Sequence, residues 1–337
     1  MRILVIGGTR FIGAAAVRRL HELGHEVAVC NRGQAPNAPP EGVQQIRGDR
    51  DDLVASRADF ERFAPEVVLH NVVIRKEHVE HALATFRGVA RRLVMVSSCD
   101  VYRAYGRLIG TEPGAPDPVP LDETAPVRAK LHPYRDRFPD PAHPLHWYDK
   151  IPAESLALSD AEMEGVVLRL PMVLGPHDYQ HRLFPFFKPM EDGRRALVYE
   201  DTYASWCSTY GYVGNVAEAM AVACTHPQAR GSYNVGDASP SIADLARQVA
   251  QKVGWDGEIV TAAKTDLPPE LHPDMDTAQG LVCDCRKLER ELGYRPLFDL
   301  DQTLERTLEW ERAHPPEPIP PGTLQYEAEN AYLAKRG

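Results

Sequence analysis

The stretch MRILVIGGTRFIGAAAVRRLHELGHEVAVC, residues 1–30, decides the fold of this chain. Residues 2–7 are an apolar run of strand length, residues 12–24 place apolar side chains at helical spacing, and residues 25–30 are a second apolar run. Gly24 closes the helix, because glycine readily adopts the backbone conformation that ends helices. Strands that are apolar throughout are covered on both faces, so the pattern predicts a parallel strand–helix–strand unit.

The same alternation continues along the chain. Further strands are predicted at 43–49, 67–73, 91–98, 165–175 and 231–237, and a strand runs into a helix within 210–224. Further helices are predicted at 58–66, 78–89, 152–164, 241–254, 285–294 and 300–315. Strands separated by helices predict an α/β fold with a doubly wound parallel sheet. Residues 107–145 interrupt the pattern with nine prolines, which predicts an extended loop that serves as a lid or packs on the domain.

The segment GGTRFIG, residues 7–13, lies between the first strand and the first helix. Small residues there let the backbone approach a pyrophosphate at the helix N-terminus, where free N–H groups favour negative charge. We therefore predict a dinucleotide site, with a ligand-free turn as the alternative. Its cofactor-binding residues are Gly7, Thr9, Arg10, Phe11, Ile12 and Gly13. Arg10 takes the middle position of a GxxGxxG pattern, so its side chain could cover the pyrophosphate.

The end of the second strand indicates which dinucleotide binds. A carboxylate there would accept from the ribose hydroxyls of NAD, but this chain has Asn31 and Arg32. A cation can pair with the 2′-phosphate of NADP. We therefore predict NADP(H) as the preferred cofactor and NAD(H) as the alternative, unless Arg32 is only a solvated loop residue.

Taken together, these segments resemble the extended, atypical branch of the short-chain dehydrogenase/reductase family, the NAD(P)-dependent epimerase/dehydratase type. Beyond residues 7–13, the similarity is carried by GDRDD (48–52), VSSCDVY (96–102), LRLPMVLGPHD (168–178), YVGNVAEAM (212–220), GSYNVGD (231–237) and the segment 284–310. The resemblance implies that Asp49 contacts adenine and that Ser98 orients the substrate oxygen. It implies further cofactor contacts by Arg50, Asn71, Pro171 and Val173, and substrate contacts by Cys99, Asp100, Tyr102, Met172 and His177. For Asp100 and His177, a turn cap and a solvated loop residue are the respective alternatives.

The resemblance also implies a division of the chain. Residues 1–175 and 207–236, with the proline-rich insertion 107–145, are expected to form a Rossmann domain that binds NAD(P). Residues 176–206 and 237–325 are expected to form a smaller C-terminal α/β subdomain that binds the substrate.

The stretch HPLHWYDKIPAE, residues 143–154, departs from the family pattern. In the family, a tyrosine moves the proton, and a lysine four residues later lowers the tyrosine pKa and binds the nicotinamide ribose. Four residues before Lys150 stands His146, and Tyr148 is only two residues before it. Pro152 belongs in the first turn of a helix, so we predict a helix start near Asp149. Tyr148 would then lie in non-helical backbone, where residues two apart can point the same way.

Three hypotheses follow for the catalytic centre. Tyr148 acts with Ser98 and Lys150 from a shifted backbone position. Alternatively, His146 is the acid/base, since its ordinary pKa of about 6.5 suits proton transfer. In the third hypothesis neither residue serves redox chemistry, and the protein carries out a non-redox reaction or only binds.

The resemblance implies an NAD(P)-dependent epimerase, dehydratase or ketoreductase that acts at a carbinol or carbonyl carbon of a nucleotide sugar or a small secondary metabolite. The alternative is a non-redox or non-catalytic NAD(P)-binding protein, including an RNA-associated scaffold. The formal net charge of −10 disfavours nucleic acid and anionic membranes as partners.

The remaining expectations concern metal, location and assembly. The six cysteines are scattered, so we expect reduced thiols and no metal site. We expect no secretory leader and no membrane span of roughly 20 apolar residues, hence a cytoplasmic protein. The resemblance implies a homodimer through the helices at 78–89 and 152–164.

Overall fold

The computed structural model describes residues 1–34 and 38–336. The strands are β1 Arg2–Ile6, β2 Glu26–Asn31, β3 Gln44–Arg47, β4 Val67–His70, β5 Arg92–Ser98, β6 Glu164–Leu170, β7 Met172–Leu174, β8 Ala196–Glu200, β9 Tyr210–Tyr212, β10 Gly231–Asn234 and β11 Glu258–Ala262. The α-helices are α1 Phe11–Glu22, α2 Arg57–Phe63, α3 Lys76–Phe86, α4 Arg103–Leu108, α5 Ile151–Ser159, α6 Phe184–Glu191, α7 Asp201–Ser205, α8 Val213–Thr225, α9 Ile242–Val253, α10 Arg286–Leu292, α11 Leu300–Ala313 and α12 Tyr326–Arg336.

The central sheet has seven strands in the order β10-β6-β5-β4-β1-β2-β3. Every neighbouring pair is parallel. The strand order reverses between β1 and β4, and ligands bind in the crevice outside the carboxyl ends of strands at such a point. The predicted doubly wound α/β fold of Rossmann type is therefore confirmed.

Helices cover both faces of the sheet. Alternate residues of β1, Ile3 and Val5, face a core shared with α1, α8 and α10. Leu4 and Ile6 face the opposite core, which α2, α3 and α5 complete. Because both sets of side chains are buried, the strands are apolar at every position, as the sequence pattern indicated.

A further core lies among the elements beyond the sheet. It joins α4, α6, α9 and α11. Beside it, β8 pairs with β11 and β7 pairs with β9, both in parallel. These elements come mainly from the segments predicted to form the substrate-binding subdomain, although the division itself stays a prediction. Helix α12 lies beyond the predicted boundary and packs Tyr332 and Leu333 against the β8–β11 pair.

Several predicted elements are shorter than expected, and for two of them the structure shows the reason. The helix expected at 152–164 spans Ile151–Ser159, because the Asp160 carboxylate accepts the N–H groups of Glu162 and Met163 and closes a turn before β6. The strand expected at 165–175 is divided into β6 and β7 at Pro171, which has no N–H for a sheet hydrogen bond. By contrast, the helix predicted at 241–254 begins where expected, since the Ser241 hydroxyl accepts the Asp244 N–H at the start of α9.

The proline-rich segment is irregular, as predicted. The chain forms no helix or strand between Leu108 and Ile151, a stretch that the structure describes completely. In the described parts of the chain, no helix has the length and apolar character needed to span a membrane.

Candidate active site

A tight turn joins β1 to α1 at the carboxyl edge of the sheet. Gly7 adopts a φ of +86°, a value that favours glycine, and its N–H donates to the Cys30 carbonyl at 3.1 Å. A Cβ on Gly13 would lie 2.1 Å from the Gly7 carbonyl oxygen, so only glycine lets α1 pack this closely on the turn. The Asn71 amide, directly after β4, donates to the same carbonyl at 3.2 Å and holds the turn in place.

The first turn of α1 suits an anion. Arg10 precedes the helix in extended backbone with an exposed side chain, and no side chain of the described residues caps the helix N-terminus. Thr9 and Phe11 are buried, whereas Ile12 is half-buried. Free N–H groups and the helix dipole favour a phosphate group at such an N-terminus. These residues therefore fit the pyrophosphate of a dinucleotide.

Asn31 at the end of β2 takes part in a local turn. Its Oδ1 accepts the Gly33 N–H at 2.7 Å, while its Nδ2 is buried without a partner among residues 1–34 and 38–336. Arg32 beside it is exposed. An amide donor and a guanidinium thus stand where a carboxylate would select NAD.

Arg50 adds a second cation at this edge. It donates to the Val72 carbonyl at 3.0 Å. Burial lowers its pKa, and the nearby Arg32 charge lowers the pKa further, so the two guanidinium groups share one electrostatic neighbourhood. The Asp49 carboxylate accepts the Asp51 N–H at 3.1 Å and shapes the turn that contains Arg50.

The structure brings Ser98, Asp100, Tyr148 and Lys150 together at the carboxyl end of β5. The Tyr148 hydroxyl donates to Asp100 Oδ2 at 2.7 Å, and the Ser98 hydroxyl accepts the Asp100 N–H at 3.2 Å. Lys150 Nζ lies 5.8 Å from the centre of the Tyr148 ring and donates to the Val96 carbonyl at 3.2 Å. Tyr148 and Lys150 thus share one side of the non-helical approach to α5, while their catalytic roles remain predictions.

The charges of this centre differ from the family expectation. Burial, and after it the Asp100 charge, raise the pKa of Tyr148, although the Ser98 hydroxyl opposes the change. Burial also raises the pKa of Asp100 and lowers the pKa of Lys150. The pKa of Tyr148 is therefore raised rather than lowered as in the family, because the phenol is buried and hydrogen-bonded to a carboxylate.

Two further tyrosines extend the cluster. The Tyr134 hydroxyl, from the proline-rich segment, donates to Asp100 Oδ2 at 3.2 Å and lies 2.8 Å from the Tyr105 hydroxyl on α4. Tyr134 belongs to the irregular proline-rich segment, and no sequence pattern predicts that it or Tyr105 approaches Asp100. Their proximity to Asp100 comes from tertiary packing.

A buried ion pair fixes the start of α5. The Arg128 guanidinium donates to the Asp100 carbonyl at 2.6 Å and lies 3.5 Å from Asp149 Oδ1. The Asp149 carboxylate accepts the N–H groups of His132 and Ile151 at 2.6 and 3.0 Å. Helix α5 begins at Ile151, two residues after the predicted start near Asp149. Asp149 therefore joins the proline-rich segment to the helix, and this segment is a packed part of the site.

His146 lies apart from the cluster. Its Nδ1 pairs with the Phe138 carbonyl at 2.9 Å, and its ring packs edge-on against Trp147 with 4.7 Å between the ring centres. Helix α5 does not extend back to His146, and no hydrogen bond among the described residues joins this ring to Ser98 or Lys150.

Two residues predicted to contact substrate are packed in the core. Tyr102 is fully buried and donates to Asn234 Oδ1 at 2.7 Å. Cys99 is also buried, with its sulfur 3.1 Å from the Cys283 sulfur. Both side chains pack in the core and neither reaches a solvent-exposed surface, so their contact with substrate stays a prediction.

The site residues predicted after β6 differ in how far they are exposed. Pro171 and Met172 are half-buried, whereas Val173 is buried and its carbonyl accepts from Arg182 at 3.2 Å. His177 is exposed and lies 5.5 Å from the Trp310 ring. No group of three metal-binding side chains occurs within residues 1–34 and 38–336.

The fold and these residues define a dinucleotide-binding α/β protein with serine, tyrosine and lysine at the carboxyl edge of its sheet. The model of the NAD dependent epimerase/dehydratase family matches residues 3–236, and the chain belongs to this family. The predicted relationship to extended short-chain dehydrogenases/reductases is confirmed, and the family's members are enzymes.

Proteins that are similar to this chain carry the names of enzymes with different reactions. The chain is 24% identical to a probable dTDP-glucose 4,6-dehydratase of Sinorhizobium fredii, with 92% of each chain covered. It is 29% identical to a 2-alkyl-3-oxoalkanoate reductase of Stenotrophomonas maltophilia, with 75% of this chain and 76% of the relative covered. The crystal structure of Bordetella bronchiseptica WbmG in complex with NAD matches 93% of this chain and 94% of its own, with a TM-score of 0.68 and 20% identity.

Proposed function

We propose that the protein interconverts a carbinol and a carbonyl group of a small substrate, as a net reduction or as one step of an epimerisation or dehydration. The observation that carries the proposal is the hydrogen bond of 2.7 Å from Tyr148 to Asp100, beside Ser98 and Lys150 and at the sheet edge that carries the dinucleotide turn. A nicotinamide dinucleotide supplies the hydride donor or acceptor when it is bound. The names of the relatives include both a nucleotide-sugar dehydratase and an oxoalkanoate reductase.

Tyr148 is proposed to transfer the proton. Its raised pKa keeps the phenol protonated near neutrality, so it acts as an acid toward a carbonyl oxygen. After Tyr148 has given its proton, Asp100, whose pKa is also raised, takes up a proton from solvent and returns it to Tyr148. In the direction of oxidation the carbinol hydroxyl gives its one proton to the Tyr148 phenolate, which has first passed its own proton through Asp100 to solvent.

Ser98 and Lys150 have positioning roles in this proposal. The Ser98 hydroxyl is half-buried next to Tyr148, where it can orient the substrate oxygen. Lys150 is held by the Val96 carbonyl on the same side as Tyr148, where it can hydrogen-bond the nicotinamide ribose. His146, which bonds to Phe138, has no part in the proposed reaction.

NADP(H) is the proposed preferred cofactor, with NAD(H) as the weaker ligand. The support comes from Arg32, Arg50 and the Asn31 amide at the end of β2, since cations and amide donors favour a 2′-phosphate. Equilibrium titration of the purified protein with NADPH and NADH tests this. Arg32→Ala should weaken NADPH by roughly tenfold and leave NADH unchanged, because one charge-assisted hydrogen bond contributes about 1.5–3 kcal/mol.

The half-buried Arg57, which pairs with Glu61 on α2 and belongs to neither predicted site, provides the control. Arg57→Ala should bind both dinucleotides like the wild type. Binding of neither dinucleotide by the wild type would refute the proposed function, whereas tighter binding of NADH than of NADPH would refute only the cofactor preference.

A homodimer in the cytoplasm is the proposed context. Helices α3 and α5 pack on the same face of the sheet, and Leu158 of α5 is exposed there. All six cysteines are free thiols, which fits a reducing compartment. Light scattering should give twice the mass of the chain, and Leu158→Glu should shift it toward the monomer.

A further inference from the structure

A large cavity lies between the segment after β6 and the C-terminal segments. Its volume is about 970 Å³, which is enough for a ligand of several rings. Met172, directly after Pro171, lines one part, and residues 270–275 and 316–326 line another. Tyr179 of the lining contacts Phe11, the first residue of α1, with 6.4 Å between ring centres. The cavity therefore borders the dinucleotide turn.

Ser98, Asp100 and Tyr148 do not line this cavity. It can therefore hold a part of the substrate that does not react. Its chemistry then selects the substrate through groups remote from the reacting carbon.

The walls are rich in aromatic side chains. Tyr199, Tyr203 and Tyr210 lie together, with the first two rings 6.2 Å apart at a steep angle. Phe184 and Trp206 complete this wall. Aromatic walls favour flat apolar rings, which they contact edge-on or in offset stacks. Within the described residues, no hydrogen bond occupies the three tyrosine hydroxyls, so these are free to bind a ligand oxygen.

The cationic side chains of the lining are already engaged. Arg182 donates to Asp178 at 2.7 Å, and His181 pairs with Glu311 at 2.7 Å. His272 bonds through Nε2 to the Lys264 carbonyl at 2.9 Å. No other arginine, lysine or histidine of the described chain lines the cavity.

Carboxylates dominate the rim. Glu270, Asp274 and Glu317 are exposed and belong to the lining. They make the potential at the opening negative, which repels an anionic ligand. A diphosphate would have to enter past these groups without a free cation to receive it.

Helix α6, whose first residues line the cavity, offers no anion site either. The Phe184 N–H donates to the His181 carbonyl, and the Phe186 N–H donates to the Leu183 carbonyl, both at 3.0 Å. Pro185 between them has no N–H. The donors that usually bind phosphate at a helix N-terminus are thus engaged or missing.

We infer that this cavity binds an uncharged, ring-bearing apolar part of the substrate and excludes a nucleoside diphosphate. The inference rests on the proposed function, because it assigns the remote part of the proposed substrate. The substrate is then an aromatic or polycyclic carbonyl compound or carbinol.

Calorimetric titration of the protein, with and without saturating NADP⁺, tests the inference with three probes. They are 2-acetylnaphthalene, which is uncharged, 2-naphthoate, which has the same rings and a negative charge, and UDP. We expect 2-acetylnaphthalene to bind about tenfold or more tightly than 2-naphthoate, and UDP to give no binding heat. Tyr203→Ala should weaken 2-acetylnaphthalene roughly tenfold, whereas Tyr332→Ala, outside the cavity, should not.

A charge reversal at the rim provides a variant that should fold normally. Asp274→Arg should strengthen 2-naphthoate and produce measurable UDP binding, while Glu305→Arg on the exposed side of α11 should do neither. Tighter binding of UDP or 2-naphthoate than of 2-acetylnaphthalene overturns the inference, and so does binding of none of the probes. Because dinucleotide binding is measured separately, these outcomes leave the proposed function standing.

Discussion

The Tyr148 hydroxyl donates its hydrogen bond to a carboxylate, while the nearby Lys150 ammonium donates to the Val96 carbonyl. Asp100 Oδ2 accepts this hydrogen bond at 2.7 Å, and Lys150 Nζ lies 5.8 Å from the ring centre. A neighbouring negative charge stabilises the protonated phenol, so this centre is suited to give a proton to a carbonyl oxygen. A reaction that begins with carbonyl reduction therefore matches the charges better than one that needs a phenolate base.

Replacing Tyr148 with phenylalanine should remove the proton donor and leave the dinucleotide site intact. We expect Tyr148→Phe to lower kcat by about 10²- to 10⁴-fold, the usual contribution of a general acid. Dinucleotide affinity should stay at the wild-type value, as measured by fluorescence titration. Asp100→Asn should lower kcat and change its pH profile, because the proton acceptor of Tyr148 loses its charge.

His146 supplies the matched control for this experiment. His146→Gln retains a hydrogen-bonding side chain facing the Phe138 carbonyl and should keep kcat close to wild type. An active Tyr148→Phe enzyme together with an inactive His146→Gln enzyme would reverse the assignment of the acid.

At the scale of elements, the proline-rich segment and the start of α5 form one unit. The side chains of Arg128 and Asp149 are 0% and 2% exposed, and their hydrogen bonds join the Asp100 carbonyl, the His132 N–H and the first N–H of α5. Buried charges need such partners, because an unpaired charge in the interior is costly. The position of Tyr148 therefore depends on this ion pair.

Arg128→Met should leave the Asp149 carboxylate buried without its cation. We expect the free energy of unfolding to fall by about 3–5 kcal/mol, the usual cost of breaking a buried pair. Urea unfolding followed by circular dichroism measures it. Arg137→Met, in the same segment but exposed, should change the unfolding free energy little, and an equal loss in both variants would contradict the packed role of Arg128.

The sequence predicts those parts of the site that local rules determine. The turn at residues 7–13, the Ser241 cap of α9 and the non-helical position of Tyr148 before Pro152 depend on neighbours within a few residues. The approach of Tyr134 to Asp100 spans 34 positions and an irregular segment, and the sulfurs of Cys99 and Cys283 meet across 184 positions. Such contacts follow from how elements pack, and hydrophobic periodicity carries no signal for them.

At the scale of the whole molecule, two buried histidines couple stability to pH. His70 at the end of β4 is fully buried, and burial lowers its pKa well below the ordinary value. Burial also lowers the pKa of His78 to about 4, although Asp51 opposes the change. Both rings stay neutral in the folded protein while they take up protons in the unfolded chain below pH of about 6.5.

The unfolded state therefore binds more protons between about pH 4 and 6.5, and stability should fall as the pH falls through that range. One histidine that remains neutral in the folded protein lowers the free energy of unfolding by roughly 2 kcal/mol at pH 5. Urea unfolding of the wild type and of His70→Leu at pH 7 and pH 5 measures this effect. The variant should lose the part of the difference in unfolding free energy that His70 causes. An unchanged difference between the two pH values would show that His70 titrates normally in the folded protein.

Tyr148, Asp100, Ser98 and Lys150 are proposed to support hydride transfer at a carbonyl carbon. The most direct measurement is a single turnover with NADPH deuterated at the transferable position of nicotinamide C4, followed by mass spectrometry of the product. The test compounds are a neutral aromatic ketone, a β-keto acid and a 4-keto nucleotide sugar. We predict that one carbinol product gains one deuterium and that Tyr148→Phe slows its formation. Tight binding of NADPH with no deuterium transferred to any of the three compounds would contradict the claim.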